Sequence, residues 1–147
     1  MKKLVLVVAL MAVFSAQAVE VGVNASTDTA NADRNGFGVT LGQKFGAMGI
    51  TAGFDRYSKG MDLDKYSLVG SYDVTKIGAA TVAVKAGGAY LDQKNGKDGY
   101  ASLIGAGVSY PVTKQIAATV DYRYQAGQNR VNNLDGSTVF AGLKFAF

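Results

Sequence analysis

The stretch Ser137-Thr-Val-Phe-Ala-Gly-Leu-Lys-Phe-Ala-Phe147 decides the fold of this chain. Every second residue in it is apolar, and in a β-strand these residues would share one face: Val139, Ala141, Leu143, Phe145 and Phe147. The strand also ends on an aromatic residue at the carboxyl terminus. In a chain that begins with an export signal, such a strand predicts a β-barrel of a bacterial outer membrane rather than a soluble domain.

The export signal is at the amino terminus. Lys2 and Lys3 precede an uninterrupted apolar run over residues 4–14, and the small residues Ala16 and Ala18 follow it. This order is typical of a cleavable signal peptide, and the apolar run is too short to cross a membrane as a helix. We therefore predict cleavage after Ala18, with a signal peptide over residues 1–18 and an outer-membrane β-barrel over residues 19–147.

The composition narrows the classes of function. Removal of 18 of the 147 residues leaves 129, the size of one domain, and lowers the formal net charge from +4 to +2 because two lysines are lost. So slight an excess gives no basic surface for nucleic acid. The chain has no cysteine and no histidine, so a disulfide framework is excluded and the commonest general base and metal ligand are missing.

The alternating pattern recurs along the rest of the chain. With the terminal stretch it predicts eight strands, at 19–24, 37–45, 50–55, 65–72, 81–90, 100–110, 116–125 and 137–147. The connections at 46–49, 73–79 and 111–114 are short, and the other four are longer and more polar. Outer-membrane barrels have this arrangement, with the short turns in the periplasm. Two of the short turns share a motif, Tyr-Asp-Val-Thr-Lys-Ile over 72–77 and Tyr-Pro-Val-Thr-Lys-Gln-Ile over 110–116, which predicts shared turn chemistry.

The aromatic residues indicate which face meets lipid, because a soluble eight-stranded barrel such as a lipocalin alternates as well. If the apolar face points outward, the aromatics form two girdles of the kind that a lipid interface favours. Phe45, Tyr72, Tyr110 and Phe147 lie beside the short turns, and Phe37, Phe54, Tyr66, Tyr90 and Tyr124 lie beside the longer loops. The predicted fold is therefore an all-β, eight-stranded, antiparallel up-and-down transmembrane β-barrel.

The eight-strand pattern, the tyrosine-rich stretch Val120-Asp-Tyr-Arg-Tyr124 and the ending Phe145-Ala-Phe147 resemble the small outer-membrane β-barrel superfamily of outer-membrane proteins A and X. The resemblance covers the whole mature chain. It implies that the terminal strand, with Val139, Ala141, Leu143, Phe145 and Phe147, is the recognition signal for the barrel-assembly machinery. The chain departs from outer-membrane protein A in having no periplasmic peptidoglycan-binding domain, so a role in tethering the membrane to the cell wall is not expected.

The opposite face of the strands carries charged residues, which a barrel with a lipid-facing apolar surface places in its lumen. They are Glu20, Lys44, Asp55, Lys65, Lys85, Asp121, Arg123 and Lys144. Eight strands enclose a space that side chains can fill, so we expect a salt-bridged plug in which each buried charge has a partner. Glu20 is expected to lie between Lys44 and Lys144. The alternative interpretation of these charges is a gated ion path or a catalytic cleft.

Neither a catalytic residue nor a metal site is predicted. Barrel enzymes of this size are expected to use a histidine beside a serine, and the chain has no histidine. The loop residues Arg34, Lys59, Lys94 and Arg130 could contact the anionic outer leaflet or its sugars, and the alternative is a hydrated cap without a ligand.

These observations predict a monomeric barrel with a side-chain-filled lumen and no cofactor. Its role is structural, or an adhesin-like interaction through the surface loops. Its partners are outer-membrane lipid, lipopolysaccharide and, during biogenesis, the barrel-assembly machinery. The alternatives are a narrow ion-conducting pore and a lipid-modifying barrel enzyme.

Overall fold

The computed structural model describes residues 19–29, 34–58, 62–94, 98–128 and 135–147. Eight antiparallel strands follow one another around a closed barrel, and the last strand pairs with the first. They are β1 (Val19–Asp28), β2 (Asn35–Phe45), β3 (Met48–Tyr57), β4 (Leu63–Ile77), β5 (Ala80–Gln93), β6 (Gly99–Pro111), β7 (Ile116–Gly127) and β8 (Gly136–Ala146). The predicted fold class is confirmed. The predicted signal peptide, residues 1–18, lies outside the described residues.

The alternation of apolar and polar side chains fixes which side of the sheet faces outward. On β7, the exposed fraction of Val120 is 55%, whereas the adjacent Asp121 is 7% exposed and points into the lumen. Leu143 on β8 is exposed as well, at 41%. A barrel in lipid needs an apolar exterior, and its polar side chains then face the interior. The closed sheet also pairs its backbone groups internally, which lipid requires as well. Within the described parts of the chain, no helix is long and apolar enough to cross a membrane.

Two of the short turns contain only two residues each. Gly46 and Ala47 join β2 to β3, and Gly78 and Ala79 join β4 to β5. Both glycines have a left-handed backbone, with φ of 64° and 61°, which an L side chain rarely adopts. We call the end of the barrel with these turns the turn end and the opposite end the loop end.

The hairpin of β4 and β5 is longer than predicted. The stretch 73–79 was expected to be a turn, but β4 continues to Ile77 and pairs with β5 beyond a bulge between Asp73 and Thr75. Because Gly78 allows a two-residue turn, the residues before it remain free to pair.

The expectation of shared turn chemistry in the repeated motif is wrong. In the first copy, Val-Thr-Lys belongs to strand β4, whereas in the second copy Val112 to Gln115 form the turn itself. The hydroxyl oxygen of Thr113 accepts hydrogen bonds from the backbone amides of Gln115 (3.2 Å) and Ile116 (3.0 Å). No glycine follows the motif here, so a two-residue turn of the same kind is not formed. The side-chain oxygen of Thr113 pairs with the backbone amides of the turn instead.

Candidate functional site

The lumen holds all eight charged residues that the sequence placed there, and the structure arranges them in levels. At the turn end, Nζ of Lys144 lies 3.2 Å from Glu20 on the neighbouring strand. Lys44 does not join this pair, so the expectation that Glu20 lies between two lysines is wrong on one side. Nζ of Lys44 is 2.5 Å from Asp73 instead. It reaches β4 across β3 because the intervening β3 residue is Gly49, which has no side chain to block the path.

At mid-height, one carboxylate holds two cations. Asp121 is 2.5 Å from Nζ of Lys85 and 2.8 Å from a guanidinium nitrogen of Arg123. The three side chains are between 9% and 12% exposed. We call Lys85, Asp121 and Arg123 the central ion cluster. Buried charges persist in a low-dielectric interior only when they are paired in this way.

Asp55 and Lys65 lie nearer the loop end and face each other in the register of β3 and β4. Asp55 is 1% exposed and accepts a hydrogen bond from the side chain of Asn24 across Gly38 of β2. Its Oδ1 atom finds no hydrogen-bond partner among the described residues. Lys65 lies against an aromatic ring, with Nζ 5.5 Å from the centroid of Phe140.

Phe140 is the aromatic centre of the lumen. It is 2% exposed, and the guanidinium carbon of Arg123 lies 4.4 Å from its centroid, so two cations lie within cation–π distance of one ring. The sequence analysis did not single it out. The signal was present, because Phe140 alternates with the outward Val139 and Ala141.

Towards the loop end, a group of buried apolar residues lies in the lumen beside Asp55 and Lys65, and the sequence analysis missed it. We call the following buried residues the apolar cluster: Tyr57, Leu63, Val69, Ala89, Leu91, Ala101 and Leu103. Leu91 has no exposed surface. It occupies the same face of β5 as Lys85, so the period of two, if continued along the strand, would have placed it inside.

The space that remains in the lumen is small. Three cavities of about 30, 30 and 70 Å³ lie along the lumen, from Arg34 and Gly136 at the loop end to Glu20 and Asp73 at the turn end. Such volumes hold one water or a few, and a drug-sized ligand needs several hundred cubic ångströms. Within the described residues, no three acidic, cysteine or histidine side chains group as metal ligands.

The predicted girdle aromatics all lie on the outward face. Phe45, Tyr72 and Tyr110 are at the turn end, and Phe37, Phe54, Tyr66, Tyr90 and Tyr124 are towards the loop end. Rings on neighbouring strands pack together at the loop end, Phe54 on Tyr66 with centroids 5.1 Å apart and Tyr90 on Tyr100 at 5.3 Å. Tyr100 is 68% exposed and extends this row, although the sequence analysis had not assigned it to a girdle.

The assembly-signal residues and the loop cations have the following positions. Val139, Ala141, Leu143, Phe145 and Phe147 share the outward face of the terminal strand. The Phe147 amide donates to the carbonyl of Val19 at 3.0 Å, so the carboxyl terminus helps to close the barrel. Arg34 contacts Asp28 at 3.4 Å, and Lys94 is exposed. Lys59 and Arg130 lie outside the described residues.

Comparison with solved structures shows the same architecture. The N-terminal β-barrel domain of Pseudomonas aeruginosa OprF matches with a TM-score of 0.77 at 19% identity, over 89% of this chain and 98% of that chain. Neisserial surface protein A (NspA) matches with 0.63 at 15%, over 88% and 95%. The Yersinia pestis outer membrane protein Ail matches with 0.59 at 11%, over 90% and 100%. At these identities the likeness shows the fold alone.

None of the curated proteins compared with the chain matches it. The family model described as YfaZ precursor matches residues 1–140, nearly the whole chain. Together with the lipid-facing exterior and the closed sheet, this match identifies an exported outer-membrane β-barrel, and the chain belongs to the YfaZ precursor family.

Proposed function

We propose that this protein is a monomeric, non-conducting and non-enzymatic barrel, which anchors in the outer membrane and acts at the cell surface through its four longer connections. One observation carries the proposal: side chains obstruct the lumen at two successive heights. The central ion cluster crosses it at mid-height, and the apolar cluster with Phe140 fills the space towards the loop end.

An ion that crossed the lumen would meet two different barriers. At mid-height it would have to separate Asp121 from its two cations, and breaking a buried pair costs about 3–5 kcal/mol. Beyond that level, it would have to lose its hydration shell and pass the packed side chains of the apolar cluster, beside the buried Asp55 and Lys65. Both barriers support a plug rather than a pore.

The surface role is supported by the polarity of the loop end. Arg56 forms a bidentate pair with Asp64 at 2.8 and 2.9 Å on the outside of the barrel, just beyond Phe54 and Tyr66. Lys94 is exposed nearby, where the anionic outer leaflet would lie. The printed names of two similar structures describe a surface protein and an attachment invasion locus protein. For this chain, we extend the proposal to contact with lipopolysaccharide and to attachment.

The terminal strand belongs to the same proposal. Its outward residues, which end on Phe147, would be recognised by the barrel-assembly machinery before the barrel closes. Phe147 is 78% exposed, so its ring is available and contributes little packing to the finished barrel.

Planar-bilayer conductance tests the plug. Refolded protein whose barrel is verified by heat-modifiable gel mobility should give no steady channels. A variant with Leu91→Ser, Leu103→Ser and Arg123→Ala, which reduces the side-chain volume of both obstructions, serves as the control for a more open lumen. Steady unit conductances from the unmodified barrel that change in Lys85→Ala would overturn the proposal and establish a pore.

Two measurements on cells test the rest of the proposal. Attachment to host cells or abiotic surfaces should fall when the gene is deleted and recover on complementation. Equal attachment by both strains contradicts the surface role. The acylation pattern of lipopolysaccharide should be unchanged by the deletion, and an altered pattern would indicate a lipid-modifying enzyme.

A further inference from the structure

The charges inside the described lumen do not balance at mid-height. Elsewhere, each buried or half-buried cation lies opposite a carboxylate of its own: Lys144 pairs with Glu20, Lys44 with Asp73 and Arg34 with Asp28, and Lys65 faces Asp55. In the central ion cluster, Lys85 and Arg123 share the single carboxylate of Asp121. The cluster therefore carries one positive charge in excess.

A cavity of about 30 Å³, which we call the central cavity, lies beside this excess charge. Its charged lining consists of three cations and one carboxylate: Lys85, Arg123, Lys144 and Asp121. The lining also includes four hydroxyl groups, those of Thr40, Thr51, Ser71 and Thr119. A hydroxyl group can turn its proton towards an acceptor. The central cavity thus combines positive charge with hydrogen-bond donors.

One of the donors in this lining is unsatisfied. Arg123 is 8% exposed, and its Nε atom has no hydrogen-bond partner among the described residues. The carboxylate of Asp121 accepts from a different guanidinium nitrogen. A buried donor without an acceptor is destabilising, and more so when it belongs to a charged group. The described residues do not supply the missing acceptor, so a bound molecule or ion is required.

Charge and size together select a small anion. A water molecule would accept from Nε of Arg123, but it would leave the excess charge uncompensated in a buried site. The volume admits about two particles of the size of a water molecule. A halide ion fits with one water, which can donate to the unpaired Oδ1 of Asn24 in the same lining. Phosphate, sulfate and carboxylate ions are too large.

We infer that the central cavity binds one chloride ion, held by Lys85, Arg123 and the neighbouring hydroxyl groups. The ion would enter from the turn end, because the 70 Å³ cavity there shares Ser71, Lys85 and Thr119 with the central cavity. It would not cross the barrel, because Phe140 and the apolar cluster lie beyond it. The inference is independent of the proposed surface role.

Urea unfolding of the refolded barrel at fixed ionic strength tests the site. A ligand that binds only the folded protein raises the midpoint of unfolding. We expect a higher midpoint in sodium chloride or sodium bromide than in sodium gluconate, whose anion is too large for the cavity. The increase should saturate as halide replaces gluconate, because a single site fills.

Arg123→Gln removes both the excess charge and the unpaired donor. Whatever the absolute stability of this variant, its midpoint should be the same in chloride and in gluconate. Arg34→Gln is the matched control. It removes a lumenal cation that has its own carboxylate and does not line the central cavity, so the dependence on chloride should remain.

A milder pair of variants keeps the test available if Arg123→Gln does not fold. Thr119→Val preserves shape and charge but removes one hydroxyl donor from the central cavity. The halide concentration for half of the effect should rise several-fold. Thr81→Val removes a hydroxyl that lines only the turn-end cavity of these two, and the half-effect concentration should be unchanged.

Diffraction at the bromine absorption edge, from crystals grown in bromide, locates the ion. The expected anomalous peak lies within hydrogen-bond distance of Nε of Arg123. Peaks only at exterior lysines would exclude the site. An equal midpoint in chloride and gluconate for the unmodified barrel would overturn the inference and indicate that a lysine loses its proton instead. Chloride dependence that persists in Arg123→Gln would assign the effect to the protein surface.

Discussion

The ammonium of Lys85 lies 2.5 Å from the carboxylate of Asp121, although strand β6 separates the strands that carry them. The pair can form because the lumen-facing residues of β6 at this height are Gly105 and Gly107. The same device joins Lys44 to Asp73 across Gly49. A glycine on the intervening strand therefore lets charged side chains on the two flanking strands reach each other.

Replacement of Gly107 by alanine should destabilise the barrel. The new Cβ atom would overlap a carboxylate oxygen of Asp121 and lie 3.2 Å from Nζ of Lys85, so the ion pair must shift. Overpacking of this kind costs about 1–3 kcal/mol. Urea unfolding of the refolded protein should show a lower midpoint, whereas Gly88→Ala on the lipid-facing surface should leave it unchanged. A midpoint that is equal in both variants would contradict the role assigned to Gly107.

Replacement of Asp121 by asparagine should be more severe than loss of the exterior ion pair. It removes the carboxylate that Lys85 and Arg123 share inside the barrel, an effect of about 3–5 kcal/mol. Arg56→Gln removes a pair whose cation is 54% exposed, and water compensates its loss, so we expect no measurable change. The free energies of unfolding of the two variants check this order. The opposite order would show that the central ion cluster is not the stabilising element.

Access of reagents to the lumen should depend on position. The cavities beside the central ion cluster continue to the turn end, whereas Ala101 lies in the apolar cluster and is 4% exposed. Because the chain has no cysteine, single cysteines report cleanly. Thr81→Cys should react with a small membrane-impermeant thiol reagent added at the turn end, and Ala101→Cys should react only after unfolding. Labelling of Ala101→Cys in the folded barrel would show that the apolar cluster is open to water.

Replacement of Phe147 by alanine should separate assembly from stability. The ring is 78% exposed, so unfolding of the refolded variant should match that of the unmodified barrel within about 0.5 kcal/mol. In cells, the amount of heat-modifiable barrel should fall several-fold, because the assembly signal is damaged. Normal assembly of this variant in cells would mean that the terminal aromatic is not recognised.

The strands were predictable from the period of two. The same period showed that the eight charged residues named in the sequence analysis lie on the lumenal face of the sheet. Where the alternation of apolar and polar residues is interrupted, the predicted strands are shorter than the observed ones. Leu63 and Leu91 are not predicted to lie in the lumen, because the predicted strands at 65–72 and 81–90 stop just short of them, whereas β4 begins at Leu63 and β5 continues to Gln93. Phe140 was overlooked for the related reason that the outward face of β8 is apolar as well.

By itself, the sequence determined the number of strands, the closed barrel and the face that meets lipid, because these follow from local alternation and from the need to pair every backbone group in a membrane. Only the tertiary structure decided the partners inside the lumen. The stagger of the strands and the glycine gaps set which charges reach each other, so Lys44 bonds Asp73 rather than Glu20.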